Sequence, residues 1–218
     1  MTFTIGLIGW IFSLCLHEFS HALAAYYGGD HTVKDKGYLT FNPLKYTHPL
    51  YSIVLPLIFL MMGGLGLPGG AVYIETWRLK SRTWQSVVSL AGPTSNLALL
   101  LVLSVVLRFA PPGPYDTNSI WPGLAFLAFL QVTALLLNLI PLPPFDGYGI
   151  VEPFLSDNIR DMVNSARMWI TLAVFIMLWN VPIVSDVFWY QVGTTALRLG
   201  VPLDTAIEGL TRFQFWLL

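Results

Sequence analysis

Residues 3–27 form an apolar run long enough to cross a bilayer, which takes about 20 helical residues. Backbone in lipid must satisfy its own N–H and C=O groups, so runs of this kind are confined to helices or closed barrels. Comparable runs occupy residues 51–74, 87–109, 120–140 and 168–184. Of the chain, 55% is hydrophobic and 11% charged, where soluble domains carry about 25% charged residues. The expected fold is an α-helical polytopic membrane protein with about five to six transmembrane helices, a single membrane-embedded domain over 1–218. Residues 186–218 mix aromatics with charge and read as an interfacial helix or a sixth span.

The second run differs from the others. Pro56, Gly63, Gly64, Gly66, Pro68, Gly69 and Gly70 crowd it, too many breakers for a plain helix. Basic residues, enriched in short cytoplasmic loops, choose between two topologies. If the run dips in and returns on one side, Lys34, Lys36, Lys45, Arg78, Lys80, Arg82, Arg160 and Arg167 share the cytoplasmic face and only Arg108 opposes them. If it spans fully, the bias vanishes. The re-entrant reading is preferred, with a membrane-embedded β-hairpin or sheet at about 51–74. Irregular backbone at that depth has to line a cavity or be covered by protein.

Inside the first run stands His17-Glu18-Phe19-Ser20-His21. Ionisable groups in a span are costly and by default functional. Two histidines four apart lie on one helix face. The H-E-x-x-H order places two imidazoles on a zinc ion with the glutamate beside it as base. This points to a metal-dependent hydrolase working within the bilayer. A net charge of −1 offers no basic patch for phosphates and argues against a nucleic-acid partner. Cys15, the single cysteine, allows no internal disulfide and reads as a small buried hydrophobe. No Lys or Arg precedes Lys34, so the first run lacks a signal peptide's basic start and reads as a retained helix.

A catalytic zinc usually takes three protein ligands. His31 and His48 are candidates for the third, but both fall in the polar loop after the first helix. Asp146 is preferred. It follows the fourth run in Asn138-Leu139-Ile140-Pro141-Leu142-Pro143-Pro144-Phe145-Asp146-Gly147, where the prolines favour extended backbone and Gly147 allows a tight turn. In the re-entrant topology the first helix and the fourth run both end on the cytoplasmic side, so His17, His21 and Asp146 reach similar depth. In the fully spanning topology Asp146 emerges on the opposite face.

These features resemble the site-2 protease family of intramembrane zinc metalloproteases. The match is carried by His17-Glu18-Phe19-Ser20-His21, by Ala91-Gly92-Pro93-Thr94-Ser95-Asn96, by the segment from Asn138 to Gly147, and by the loop from Gly37 to Leu44. These features extend over about residues 10–150, within an expected core of about 3–150, in a minimal form without PDZ or CBS domains, followed by C-terminal helices over about 168–218. The resemblance implies that His17, His21 and Asp146 bind Zn2+, that Glu18 is general base and acid, and that the substrate is a transmembrane segment of another protein. Asn96 and Asn138 match polar family positions near the site. Asn138 is expected to stabilise the developing oxyanion. The setting expected is the lipid bilayer, as a multi-pass protein of a bacterial cell membrane with its metal site toward the cytoplasm. The rival readings are a metal-ion transporter, for which no internal repeat is visible, and a non-proteolytic membrane scaffold, which would not need Glu18.

Overall fold

The structure is a computed structural model that describes residues 1–46 and 72–214. Helix α1 runs Thr2–Gly28 and stops where Gly29 takes φ 118, its N–H closing on the carbonyls of Ala25 and Tyr26. A left-handed residue at that position ends a helix at no steric cost only if it is glycine. After the short α2, Thr32–Asp35, and residues 36–46, the described chain resumes at Val72. Helix α3, Arg82–Leu107, starts from an N-cap Ser81 whose Oγ accepts the Trp84 N–H at 3.4 Å. Helix α4, Trp121–Asn138, carries Pro122 in its first turn, where a missing N–H is harmless.

Helices α1, α3 and α4 pack side by side and are long and apolar enough to cross a membrane. Their contacts match what lipid demands, where close approach by small residues does what water exclusion does elsewhere. Leu100, Leu103 and Leu107 of α3 bury against Ala125, Leu127, Ala128 and Val132 of α4. Trp10 and Leu14 of α1 meet Phe126 and Leu130.

The described residues on either side of 47–71 both meet α1 near its histidines: Tyr46 Oη donates to Cys15 O at 3.2 Å and Val72 N–H to Glu18 Oε2 at 3.1 Å. Lys80 N–H donates to Gly28 O and Lys80 Nζ to Tyr27 O, each at 2.8 Å, so α3 begins where α1 ends. The hairpin expected at 51–74 lies outside the described residues except for 72–74, which are irregular. No strand occurs among the described residues.

The C-terminal third departs from expectation. Five short helices follow α4: α5, Asp146–Val151; α6, Asp157–Ser165; α7, Arg167–Asn180; α8, Pro182–Arg198; and α9, Leu203–Phe213. The run read as one span over 168–184 is instead split at Val181, because Pro182 cannot extend α7 and opens α8. The described residues thus supply three helices of spanning length, or four if α6 and α7, bent by 69°, are counted as one broken span. That is fewer than the five to six expected. The tail resolves into helices packed on the bundle. Val192 and Ala196 of α8 join the core of α3 and α4. The Phe213 ring of α9 stacks on Phe3 at 5.1 Å and fills the space beside Gly6. Arg212 of α9 ties the loop before α4 by donating to Tyr115 O and Asp116 O, both at 2.6 Å.

Candidate metal centre

Helix α1 presents His17 and His21 one turn apart, both buried, and places Glu18 between them. The Nε2 atoms of the two histidines are 3.0 Å apart. His17 Nε2 lies 3.1 Å from Asp146 Oδ2, and His21 Nε2 lies 3.4 Å from Asp146 Oδ1. Ligands about 2.0–2.2 Å from a tetrahedral zinc would be separated by about 3.3 Å. The three observed separations bracket that value.

Two further features suit a cation. The Nδ1 of His21 points at the carbonyl of Val88 at 2.7 Å, and a carbonyl only accepts, so that nitrogen carries the proton and Nε2 presents a lone pair. His17 Nδ1 donates in the same sense to Asn96 Oδ1 at 2.5 Å. Two lone pairs and a carboxylate facing one another repel unless a positive ion sits among them. Asp146 Oδ2 is buried and makes no hydrogen bond. Gly92 supplies the room, since a Cβ at that position would collide with Nε2 of both histidines. The residues present fit a zinc ion.

Asp146 is delivered by close packing of α5 on α3 and on the end of α4. Ser86 Oγ donates to Ile150 O at 2.7 Å, and Gln85 Nε2 to Glu152 at 2.7 Å. Gly149 rests so tightly on Ser89 that no side chain fits between them. The prolines before Asp146 lie in a compact turn, with Leu142 N–H on Ile140 O and Phe145 N–H on Leu142 O, and Phe145 is extended as it enters α5. Gly147 is needed for a different reason from the one its sequence suggests. Its φ is not positive, and its backbone presses against the carbonyls of Leu139 and Ile140, where a Cβ would clash.

Among the remaining candidates, Asn96 joins the centre through His17. Asn138 is buried as the last residue of α4, but its amide makes no hydrogen bond among the described residues. His31 is exposed on the loop after α1, edge-on to Tyr26 at 4.7 Å, and is not part of the cluster. His48 lies outside the described residues. Sequence reasoning missed Gln131, whose Oε1 accepts from Asn96 Nδ2 at 2.8 Å. Its signal was an amide in the middle of an apolar span, where a polar group must find a partner.

Glu18 is held from the other side. Its Oε2 accepts the N–H of Val72 at 3.1 Å. Residues 72–78 are anchored in turn: Glu75 N–H donates to the buried Asp30 Oδ2 at 2.8 Å, and Glu75 pairs with Lys36 at 2.8 Å and Arg78 at 2.6 Å. Hydrogen bonds from Lys36 and then Arg78 hold the Glu75 carboxyl well below its usual range, at about 2. A cavity of about 350 Å³ opens between this segment (Val72, Tyr73, Ile74) and α5, with Asp146 and Tyr148 on its wall.

Apolar helices with a glutamate beside a two-histidine, one-aspartate cluster define a class, the zinc-dependent metalloproteases of membranes. No family model and no solved structure matches the chain. Its relatives agree with the class. It is 49% identical over 177 residues to a protein of Mycolicibacterium smegmatis, covering 81% of this chain and 67% of that one. It is 41% identical over 216 residues to one of Mycobacterium tuberculosis, covering 98% and 81%. Both carry the name "Putative zinc metalloprotease Rip2". A third, "Putative zinc metalloprotease YwhC" of Bacillus subtilis, is 34% identical over 190 residues, covering 82% of this chain and 81% of its own. The chain belongs to the site-2 protease family of zinc metalloproteases.

Proposed function

We propose that this protein cuts peptide bonds within or beside transmembrane segments of other membrane proteins, using zinc held by His17, His21 and Asp146. The observation that carries this reading is the meeting of those three side chains, with ligand atoms all within 4.8 Å of one another, inside a bundle of apolar helices. When bound, zinc supplies Lewis-acid activation of water and of the scissile carbonyl. Glu18 is the general base that takes the water proton and returns it to the leaving amine. The Val72 N–H on Oε2 keeps its carboxyl plane fixed for that exchange. Val88 and Asn96 hold the imidazoles in the ligating tautomer. The Asn138 amide is assigned to the oxygen of the scissile carbonyl as charge develops there.

A helical substrate hides its carbonyls in internal hydrogen bonds and must be drawn out before attack. Residues 72–74 offer backbone for an extended substrate to pair with, in the manner of strand addition. Proline placed there should slow cleavage and leave zinc bound.

The centre is assigned to the cytoplasmic side of a bacterial cell membrane. Lys80 and Arg82 flank the bundle end at which α1 terminates, and His21 lies about 10 Å before that end at about 1.5 Å per residue. The curated relatives from Mycolicibacterium and Bacillus are bacterial.

The test is incubation of the purified protein with transmembrane peptides, comparing the parent with Glu18→Gln. Cleavage by the parent alone supports the reading. Equal cleavage by both removes Glu18 from the mechanism, and no cleavage by a zinc-loaded parent across a broad peptide set removes the proposed substrate class.

A further inference from the structure

The route from α4 to the metal centre runs through two amides. Gln131 is 1% exposed, and its neighbours on the same face of α4, Ala128 and Leu135, are buried and apolar. Its Oε1 accepts from Asn96 Nδ2 at 2.8 Å, and Asn96 Oδ1 accepts from His17 Nδ1 at 2.5 Å. The three side chains come from α4, α3 and α1, so the chain of bonds crosses the bundle near its middle.

We infer that Gln131 is a positioning residue for the metal centre, acting through Asn96 on the tautomer of His17. The inference rests on the reading of His17 as a zinc ligand. The physical reason lies in what an amide can present. His17 offers a bare Nε2 to the metal only when Nδ1 carries the proton, and that requires Asn96 to turn its oxygen toward His17. Asn96 Nδ2 then points into α4, where an apolar residue would leave a buried donor unsatisfied. Gln131 accepts from it and removes that cost. With an apolar side chain at 131, Asn96 does better to rotate and donate its NH2 to Nδ1. The His17 proton then moves to Nε2 and blocks the ligand position.

Two substitutions separate this role from packing. Gln131→Met keeps the length and apolar stem but removes the acceptor. Gln131→Glu keeps an accepting oxygen and, when ionised, can only accept. The full chain, purified in detergent, is titrated with zinc against a competing chelator, and the absorption spectrum of the cobalt-substituted protein is recorded. Thermal melting of the metal-free forms checks the fold. Gln131→Met should weaken zinc about 10–100-fold, as loss of an outer partner of a ligating histidine does, and should alter the cobalt spectrum. Gln131→Glu should bind zinc as tightly as the parent or tighter. Parental affinity in Gln131→Met overturns the inference. So does equal weakening in both variants, which makes position 131 a packing site. A His17→Ala control reads the underlying assignment on its own: loss of zinc there with no effect of Gln131→Met refutes only the relay, whereas unchanged affinity in His17→Ala refutes the centre itself.

Discussion

Nε2 of His17 and Oδ2 of Asp146 lie 3.1 Å apart, although one belongs to the first helix and the other to the turn beyond the fourth run. The pair can meet only because α1 and α4 end on the same side of the bundle. Removing one partner leaves two imidazole lone pairs with too few ligands for a closed three-residue site. Asp146→Ala should therefore lower zinc affinity by more than the roughly 10–100-fold that an outer-partner change costs, and peptide cleavage should fall with it. Metal analysis after dialysis against a chelator is the check, and parental zinc content would dismiss Asp146 as a ligand.

Gly92 tests the same centre from a third element. A methyl group there would occupy the space between the two Nε2 atoms. Gly92→Ala should lose zinc and activity together, while the bundle bears only the ordinary cost of overpacking, about 1–3 kcal/mol. Zinc content, activity and melting temperature of the one variant decide it. Retained zinc would show that the histidines can move aside.

Much of this was readable from residue order alone. The bounds of α1 and α4 follow closely from apolar length, with Gly28-Gly29 as the stop of α1. Helix α3 instead begins at Arg82, before the apolar run expected from 87, because Ser81 caps a polar first turn. Asp146 was reachable because chain direction through a membrane is discrete: a ligand emerges on one side or the other. The break at Val181-Pro182 was visible in Pro182, but the length of residues 168–184 suggested one span.

Contacts set by distant chain were not readable. That Phe213 fills the space at Gly6, that Gly92 and Gly149 serve helix approach, and that Gln131 faces Asn96 are consequences of bundle geometry. A glycine in a sequence does not say which neighbour needs the room.

Glu75 gives a pH signature outside the spans. Its carboxyl is held at about 2 by Lys36 and Arg78, below the free value of about 4.3. A lowered folded value means the stabilisation is complete above the free value and is lost as pH falls toward about 2. The Val72 and Glu75 amides should therefore lose hydrogen-exchange protection across that window in the parent. In Glu75→Gln the same amides should be less protected above it and show no such step. An identical profile in both forms would detach the ion pairs from the segment that holds Glu18. The effect should be small, because exposed pairs contribute little.

Asn138 separates chemistry from metal binding. It is buried at the last turn of α4, just ahead of the turn that leads to Asp146, and its amide makes no hydrogen bond among the described residues. Its place at the end of α4, beside the turn that carries Asp146, is what points to a role when substrate is present. Asn138→Leu keeps the branched heavy-atom outline of the side chain and breaks none of the described hydrogen bonds, so the fold and the three candidate ligands should be undisturbed. Loss of one donor to a developing oxyanion lowers kcat by about 10²–10³. The variant should therefore bind zinc like the parent, show a similar KM, and turn over peptide slowly by that factor. Unchanged kcat would dismiss the oxyanion role. Parallel loss of zinc and activity would assign Asn138 to holding the turn that carries Asp146.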